Sequence, residues 1–170
     1  MVRLAQAASY RPKVPWSEGL PDRVRDVLDR FAQGGDRTIE LVRRWDRWDY
    51  PIDEVRIGEW SVAQVLQHLI AVEWHVVNAR LDSLDAETEP HWAWAEPGPA
   101  DGVGDGSIAA AAVVFAASRE ATVERLRAMP LDAWQRAGVH ATYGRLDVAG
   151  LLALMLEHDE AHLDELERLA

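Results

Sequence analysis

Hydrophobic residues recur every three or four positions along most of the chain, which is the spacing of one face of an α-helix. From about Pro21 this pattern continues to Trp45, and it does not shift at Gly34 and Gly35, a pair that ordinarily marks a break. We therefore favour one long first helix with a weak point or a close packing contact at the glycines, and two separate helices are the alternative. The apolar stripe consists of Val24, Leu28, Phe31, Gly35, Thr38, Val42 and Trp45.

The second helix has the clearest start in the chain. Ser61 is a suitable N-cap, and Gln64 stands at the position that completes a capping box. Trp60 precedes the cap, and we interpret its indole as a staple that packs the preceding loop onto the helix. The stripe that follows consists of Val62, Val65, Leu66, Leu69, Val72 and Val76.

Two further helices are predicted in the second half, one from about Ser107 to Met129 and one from an Asp147 cap to the C-terminus. Residues 86–106 are rich in proline, glycine and acidic residues and are expected to form a long crossover loop, in which "HWAW" at 91–94 exposes two indoles. No segment alternates as a strand would. The predicted fold class is all-α, a four-helix bundle, with an extended arm over residues 1–20 and a single domain over residues 21–170.

Composition narrows the possible partners. The chain carries a net charge of −11, which argues against binding nucleic acid phosphates. It contains no cysteine, so any thiolate chemistry requires an external thiol. No stretch approaches the roughly 18 apolar residues of a membrane span, and no signal peptide is evident. We expect a cytoplasmic protein that does not interact with membranes or nucleic acids.

The strongest chemical signal is "EHDEAHLDEL" at residues 157–166. His158 and His162 stand one helical turn apart, on the apolar stripe of the last helix. His68 is placed on the inward face of the second helix and is the natural third ligand. Three neutral imidazoles that leave open coordination positions suit zinc, nickel, iron or manganese. The alternative is that both C-terminal histidines are partly exposed on an acidic helix.

The sequence gives weaker indications that other polar residues near these positions take part in a metal site. The zinc-protease motif is excluded, because the residue after the first histidine is Asp159 rather than glutamate. Glu73 and Asp159 are candidates to orient the imidazoles, although solvated carboxylates are the commoner case. We interpret His75 as a packed helix-face residue, and the alternative is that it lies behind a metal ligand or in the pocket. We interpret His91 as solvated, and His140 as a residue that covers one end of the bundle.

Two segments together resemble the DinB/YfiT-like superfamily. "EWSVAQVLQHL" is similar to its Trp-Ser…Leu-x-His-Leu segment, and "HATYGRLDVAGLLALMLEHDEAHLDEL" is similar to its C-terminal signature. The resemblance implies an up-down-down-up bundle with a long crossover between helices 2 and 3. It also implies a divalent metal, commonly nickel or zinc, on His68, His158 and His162, and a homodimer.

The resemblance also suggests a reaction class. We expect a metal-dependent enzyme that activates water or a low-molecular-weight thiol for hydrolysis or S-transfer on a small-molecule substrate. Some relatives use bacillithiol, mycothiol or glutathione in this way. The alternative is a non-enzymatic bundle that binds a metal or small ligand in a stress response.

Overall fold

The computed structural model describes residues 20–45, 55–93, 96–99 and 107–169. Its first helix, α1, spans Asp22–Trp45 without interruption, which confirms the single long helix. Both glycines are buried, and a Cβ added at Gly35 would lie 3.1 Å from the Cα of Ala116 in another helix. Glycine in a helix interior costs about 1 kcal/mol relative to alanine. Here it allows two helix backbones to approach closely, so the packing interpretation is the correct one.

The second long helix has three consecutive parts. Helix α2 spans Val62–Val72, a π-helical segment spans Glu73–Asn78, and α3 spans Ala79–Ala86. The junction residues all have helical backbone angles, so the three parts form one continuous rod. The predicted capping box is present, because the Ser61 side chain accepts from the Gln64 N–H and the Gln64 side chain accepts from the Ser61 N–H.

The last two long helices also begin where the sequence predicts, and the predicted Asp147 cap is present. Helix α4 spans Ile108–Ala128 after an Ser107 N-cap, and α5 spans Val148–Glu167 after an Asp147 N-cap. In each case the capping oxygen accepts a backbone N–H three residues later. Caps are visible in the sequence because they act locally, through one side chain and the first turn.

The expectation of no strands was wrong. Strands β1 (Arg56–Ile57) and β2 (Trp60–Ser61) form an antiparallel pair. A second sheet has β3 (His91–Trp92) parallel to β4 (Ala137–His140), with β5 (Gly144–Asp147) antiparallel to β4. Strands of two to four residues are too short to show an alternating pattern. The tight turn between β4 and β5 leads into Gly144, the first residue of β5, whose φ is 71°.

This second sheet also corrects the expected exposure of the crossover segment. Trp92 is only 7% exposed, and its indole N–H donates to Ser83 Oγ at 2.9 Å. Its ring lies against Gly138, where a side chain would collide with it. Trp94 lies outside the described residues. Since Trp92 is buried, "HWAW" does not present two exposed indoles.

The four long helices bury the apolar stripes predicted from the sequence. Helix α1 packs mainly against α4 and α5, and α2 packs against α4. The buried apolar residues form two clusters, one around Phe31 and Leu151 and one around Leu66 and Phe115. This confirms an all-α four-helix bundle. None of the helices in the described part of the chain is both long and apolar enough to cross a membrane.

Three expectations about architecture remain predictions. The N-terminal arm over residues 1–20 lies outside the described residues apart from Leu20. The single domain over 21–170 and the up-down-down-up order with its long crossover are not tested by the described helices. Part of the crossover, residues 87–93 and 96–99, is described, and its Pro97 contributes to the site below.

Candidate metal centre

His68 occupies the middle of α2 and is completely buried. Burial follows from its place on the apolar stripe between Val65 and Val72, both of which belong to the core. The Trp60 indole lies against the imidazole, with 4.7 Å between ring centroids. Trp60 therefore forms one wall of the site, and its role as a staple stays a prediction.

His158 and His162 project from adjacent turns of α5, and their ring centroids are 4.8 Å apart. Their side chains are 17% and 20% exposed, so both are largely but not fully enclosed. Both side chains are thus partly exposed, as the alternative of an acidic, partly exposed helix face expects, but they lie against each other. Both rings lie about as close to His68, at 5.2 and 5.0 Å between centroids.

The structure brings the three predicted ligands into one cluster. One ring nitrogen from each lies within 4.8 Å of the other two, and His68 Nε2 is 3.1 Å from His158 Nε2. Two nitrogens about 2.0–2.1 Å from a tetrahedral zinc ion lie about 3.3 Å apart. The spacing and donor type of this pair therefore fit a divalent ion, and the role of the trio as metal ligands stays a prediction.

The other ring nitrogens show how two of the imidazoles are oriented. His68 Nδ1 donates to the Pro97 carbonyl at 2.6 Å, and His158 Nδ1 donates to Asp159 Oδ1 at 3.0 Å. A carbonyl and a carboxylate can only accept, so both Nδ1 atoms carry the proton. In the neutral rings both Nε2 atoms then present lone pairs toward each other, an arrangement that a cation between them would stabilise.

His162 is held differently. Its Nδ1 is buried and makes no hydrogen bond to any described residue, and the nearest carboxylate oxygen, on Glu165, is 3.7 Å away. Of the three rings it is therefore the least constrained before a ligand binds.

Burial favours the neutral form of two of the three histidines. Burial lowers the pKa of His68 below its usual value, and the hydrogen bond to Pro97 only partly opposes this effect. Burial likewise lowers the pKa of His162, helped by the neighbouring His158. Since a metal binds the neutral imidazole, both shifts favour coordination at neutral pH.

The other polar residues considered as candidates differ in their burial and in their contacts with the three histidines. Asp159 orients His158 directly, as described above. His75 is exposed, so the expectation of a packed helix-face residue was wrong, because the side chain points away from the core at the π-helical segment. His91 is exposed as expected, and His140 is buried in β4, where its Nδ1 accepts from the Thr142 N–H.

Glu73 contacts an arginine rather than an imidazole. Its Oε2 accepts from Arg119 Nε and Nη2 at 3.0 and 2.8 Å, and the same Nη2 donates to Asp159 Oδ2 at 2.5 Å. Arg119 Nη1 donates to the Phe31 carbonyl at 3.0 Å. All three charged side chains are almost fully buried.

Arg119 was not predicted from the sequence, although a signal was present. Arg119 stands four residues after Phe115 and four before Val123, on the buried stripe of α4. A charged residue on an apolar stripe requires a buried partner, because an unpaired buried charge is costly. The identity of that partner depends on how the helices pack and could not be predicted from the spacing.

A family comparison is consistent with this geometry. A model of the DinB superfamily matches residues 31–166, which is most of the chain. The chain belongs to the DinB superfamily. The matched region includes all three clustered histidines and Arg119.

A solved structure shows the same fold. YfiT from Bacillus subtilis, described as a probable metal-dependent hydrolase with an unusual four-helix bundle topology, is similar to 95% of this chain over 94% of its own, with a TM-score of 0.61. The identity is 19%, so the likeness concerns the fold. A search of curated proteins found no match.

Proposed function

We propose that this DinB-superfamily protein is a metal-dependent enzyme whose divalent ion is held by His68, His158 and His162. The observation that carries the proposal is the 3.1 Å approach of two Nε2 atoms whose Nδ1 protons are already donated elsewhere. Nickel or zinc is the favoured ion, and iron or manganese also accepts such ligands. The description of YfiT as a probable metal-dependent hydrolase supports the same reaction class.

Three protein ligands leave coordination positions for another molecule, which is the pattern of catalytic sites rather than structural ones. A divalent ion bound here would lower the pKa of a coordinated water or thiol and so supply a nucleophile at neutral pH. The chain contributes no thiol, because it has no cysteine. The two proposed reactions are therefore hydrolysis with water and S-transfer with a low-molecular-weight thiol cofactor, each on a small-molecule substrate.

Backbone and side-chain groups of the protein itself would fix the geometry of this reaction. Pro97 and Asp159 hold two imidazoles in the tautomer that directs Nε2 at the ion. Trp60 covers one side of His68 and keeps water from that face. Glu96, next to Pro97, is exposed, and its charge acts on both His68 and His162.

Metal analysis of the purified protein is the primary test. We expect about one divalent ion per chain in the wild type and none in a His158→Ala, His162→Ala variant that remains folded. Full metal occupancy in that variant would refute the proposed site. His91→Ala is the matched control, because His91 is an exposed histidine outside the cluster.

Activity assays separate the two reactions. Activated esters and amides, assayed one metal at a time without thiol, test hydrolysis. Electrophiles assayed with bacillithiol, mycothiol or glutathione test S-transfer. Stoichiometric metal without turnover in either panel would favour a non-enzymatic metal-binding bundle. The expected homodimer is tested independently by light scattering.

A further inference from the structure

Arg119 belongs to a buried cluster that apolar packing alone does not require. One guanidinium faces two carboxylates, Glu73 and Asp159, and Glu73 Oε1 makes no hydrogen bond to the described residues. Replacing a buried ionic cluster by apolar residues of similar volume often leaves a protein as stable or makes it more stable. The cluster therefore needs an explanation other than stability.

The contacts of the guanidinium show how firmly it is held. Its Nη1 donates to the Phe31 carbonyl of α1, and its Nε and Nη2 donate to Glu73 of the π-helical segment. The Phe31 and Phe115 rings lie on it, at 3.6 and 4.9 Å from the guanidinium carbon to each centroid. Arginine has a rigid planar fork, so these contacts leave the donor aimed at Asp159 in one direction.

Asp159, oriented by Arg119, in turn orients the His158 imidazole. Its Oδ2 accepts from Arg119 and its Oδ1 accepts from His158 Nδ1. Because the two oxygens of a carboxylate lie in one rigid plane, fixing Oδ2 also fixes Oδ1. The three charges sum to −1 beside the histidines, which complements a cation. Residues behind a metal-ligating histidine set its ring orientation and its strength as a ligand.

We propose that Arg119 is a positioning residue that acts through Asp159 to hold His158 in its metal-binding orientation and tautomer. The inference rests on the proposed function, since it assumes that His158 is a ligand. Arg119 itself touches neither the histidine nor the expected position of the ion.

The test compares two paired substitutions. Arg119→Met with Glu73→Gln removes the guanidinium without leaving a charged Glu73 buried alone, and methionine adapts to the space between the two phenyl rings. The control is Arg37→Met with Glu167→Gln, which removes a partly exposed pair of the same residue types between α1 and α5, for which no contact with a histidine is seen among the described residues. Zinc affinity is measured by competition with a chromophoric chelator, and the cobalt-substituted proteins are compared by visible absorption.

The expected result is a loss of zinc affinity of about 10–100-fold in the Arg119 pair, with an altered cobalt spectrum. The control pair should bind zinc as the wild type does. If the folded Arg119 pair keeps wild-type affinity and spectrum, or if the control pair loses as much, the inference is overturned. A wild type that binds none of zinc, cobalt, nickel, iron or manganese would instead refute the proposed function.

A second variant covers the case in which the Arg119 pair does not fold. Asp159→Asn is isosteric, and Arg119 will hold the amide oxygen, which turns the amide NH₂ toward His158 Nδ1–H. Two donors then face each other, so zinc affinity should again fall about 10–100-fold. Wild-type affinity in this variant would overturn the inference.

Combining the variants separates positioning from general packing. In the Asp159→Asn background, the Arg119 and Glu73 substitutions should cost less than about threefold further or restore some affinity, because the arginine acts only through Asp159. Losses that multiply independently would show that Arg119 acts by another route and would overturn the inference.

Discussion

His162→Ala is the single substitution that should remove a proposed ligand with the smallest effect on the metal-free fold. The His162 Nδ1 makes no hydrogen bond to a described residue, so its removal leaves no partner unsatisfied. We expect the metal-free variant to lose about 1 kcal/mol of stability or less. His68→Ala is different, because it leaves the Pro97 carbonyl without its donor, which costs about 1–3 kcal/mol even without metal.

The effect of metal can be worked out by linkage. Zinc at 100 times the wild-type Kd should stabilise the wild type by about 2.7 kcal/mol. For a chain of this size each kcal/mol raises Tm by about 2–4 °C, so the expected rise is about 5–11 °C. If His162→Ala weakens zinc binding about a hundredfold, the same zinc concentration equals the variant's Kd and the gain falls to about 0.4 kcal/mol. Its Tm should then rise by only about 1–2 °C.

The assay is calorimetry or circular dichroism on chelator-treated protein, with and without zinc. The matched control is His75→Ala, since His75 is an exposed histidine on the same helical rod as His68. It should show the full zinc-dependent rise. A rise of wild-type size in His162→Ala, or no rise in the wild type, would refute the argument that these imidazoles share one ion.

Three further predictions concern the fold and the charge state of the site. Because burial lowers the pKa of His68 and His162, these histidines take up protons at a higher pH in the unfolded chain than in the folded protein. The metal-free protein should therefore be most stable above about pH 6.5 and lose stability as the pH falls below that value, with a smaller loss in His162→Ala. Urea unfolding from pH 7.5 to 5 measures this. An equal dependence of the unfolding free energy on pH in the wild type and the variant would contradict the prediction. Gly35→Val places a side chain against the Ala116 backbone and should cost about 1–3 kcal/mol in urea unfolding, whereas an unchanged midpoint would mean that the two helices separate easily. Ser61→Ala removes the capping box and should cost about 1 kcal/mol, with thermal unfolding as the measurement and a wild-type Tm as the contrary result.

The sequence alone determined the parts of this protein that depend on local interactions. The Ser61 and Asp147 caps located the starts of α2 and α5, because a cap is made between residues three positions apart. The apolar stripes predicted the buried faces of the helices, with the exception of His75, which was expected to pack and is exposed. They predicted His68, His158 and His162 as a group, and the structure brings these three together.

Only the tertiary structure decided which groups lie behind those histidines. The Pro97 carbonyl comes from the crossover segment, and Arg119 reaches Asp159 from another helix. Such pairings depend on the rotation and separation of the helices, which periodicity does not specify. The same reason explains the missed strands, since β3 has two residues and pairs with β4 more than 40 positions later. Their hydrogen bonds join backbone segments that are distant in the sequence, and no local pattern in either segment indicates which segment it pairs with.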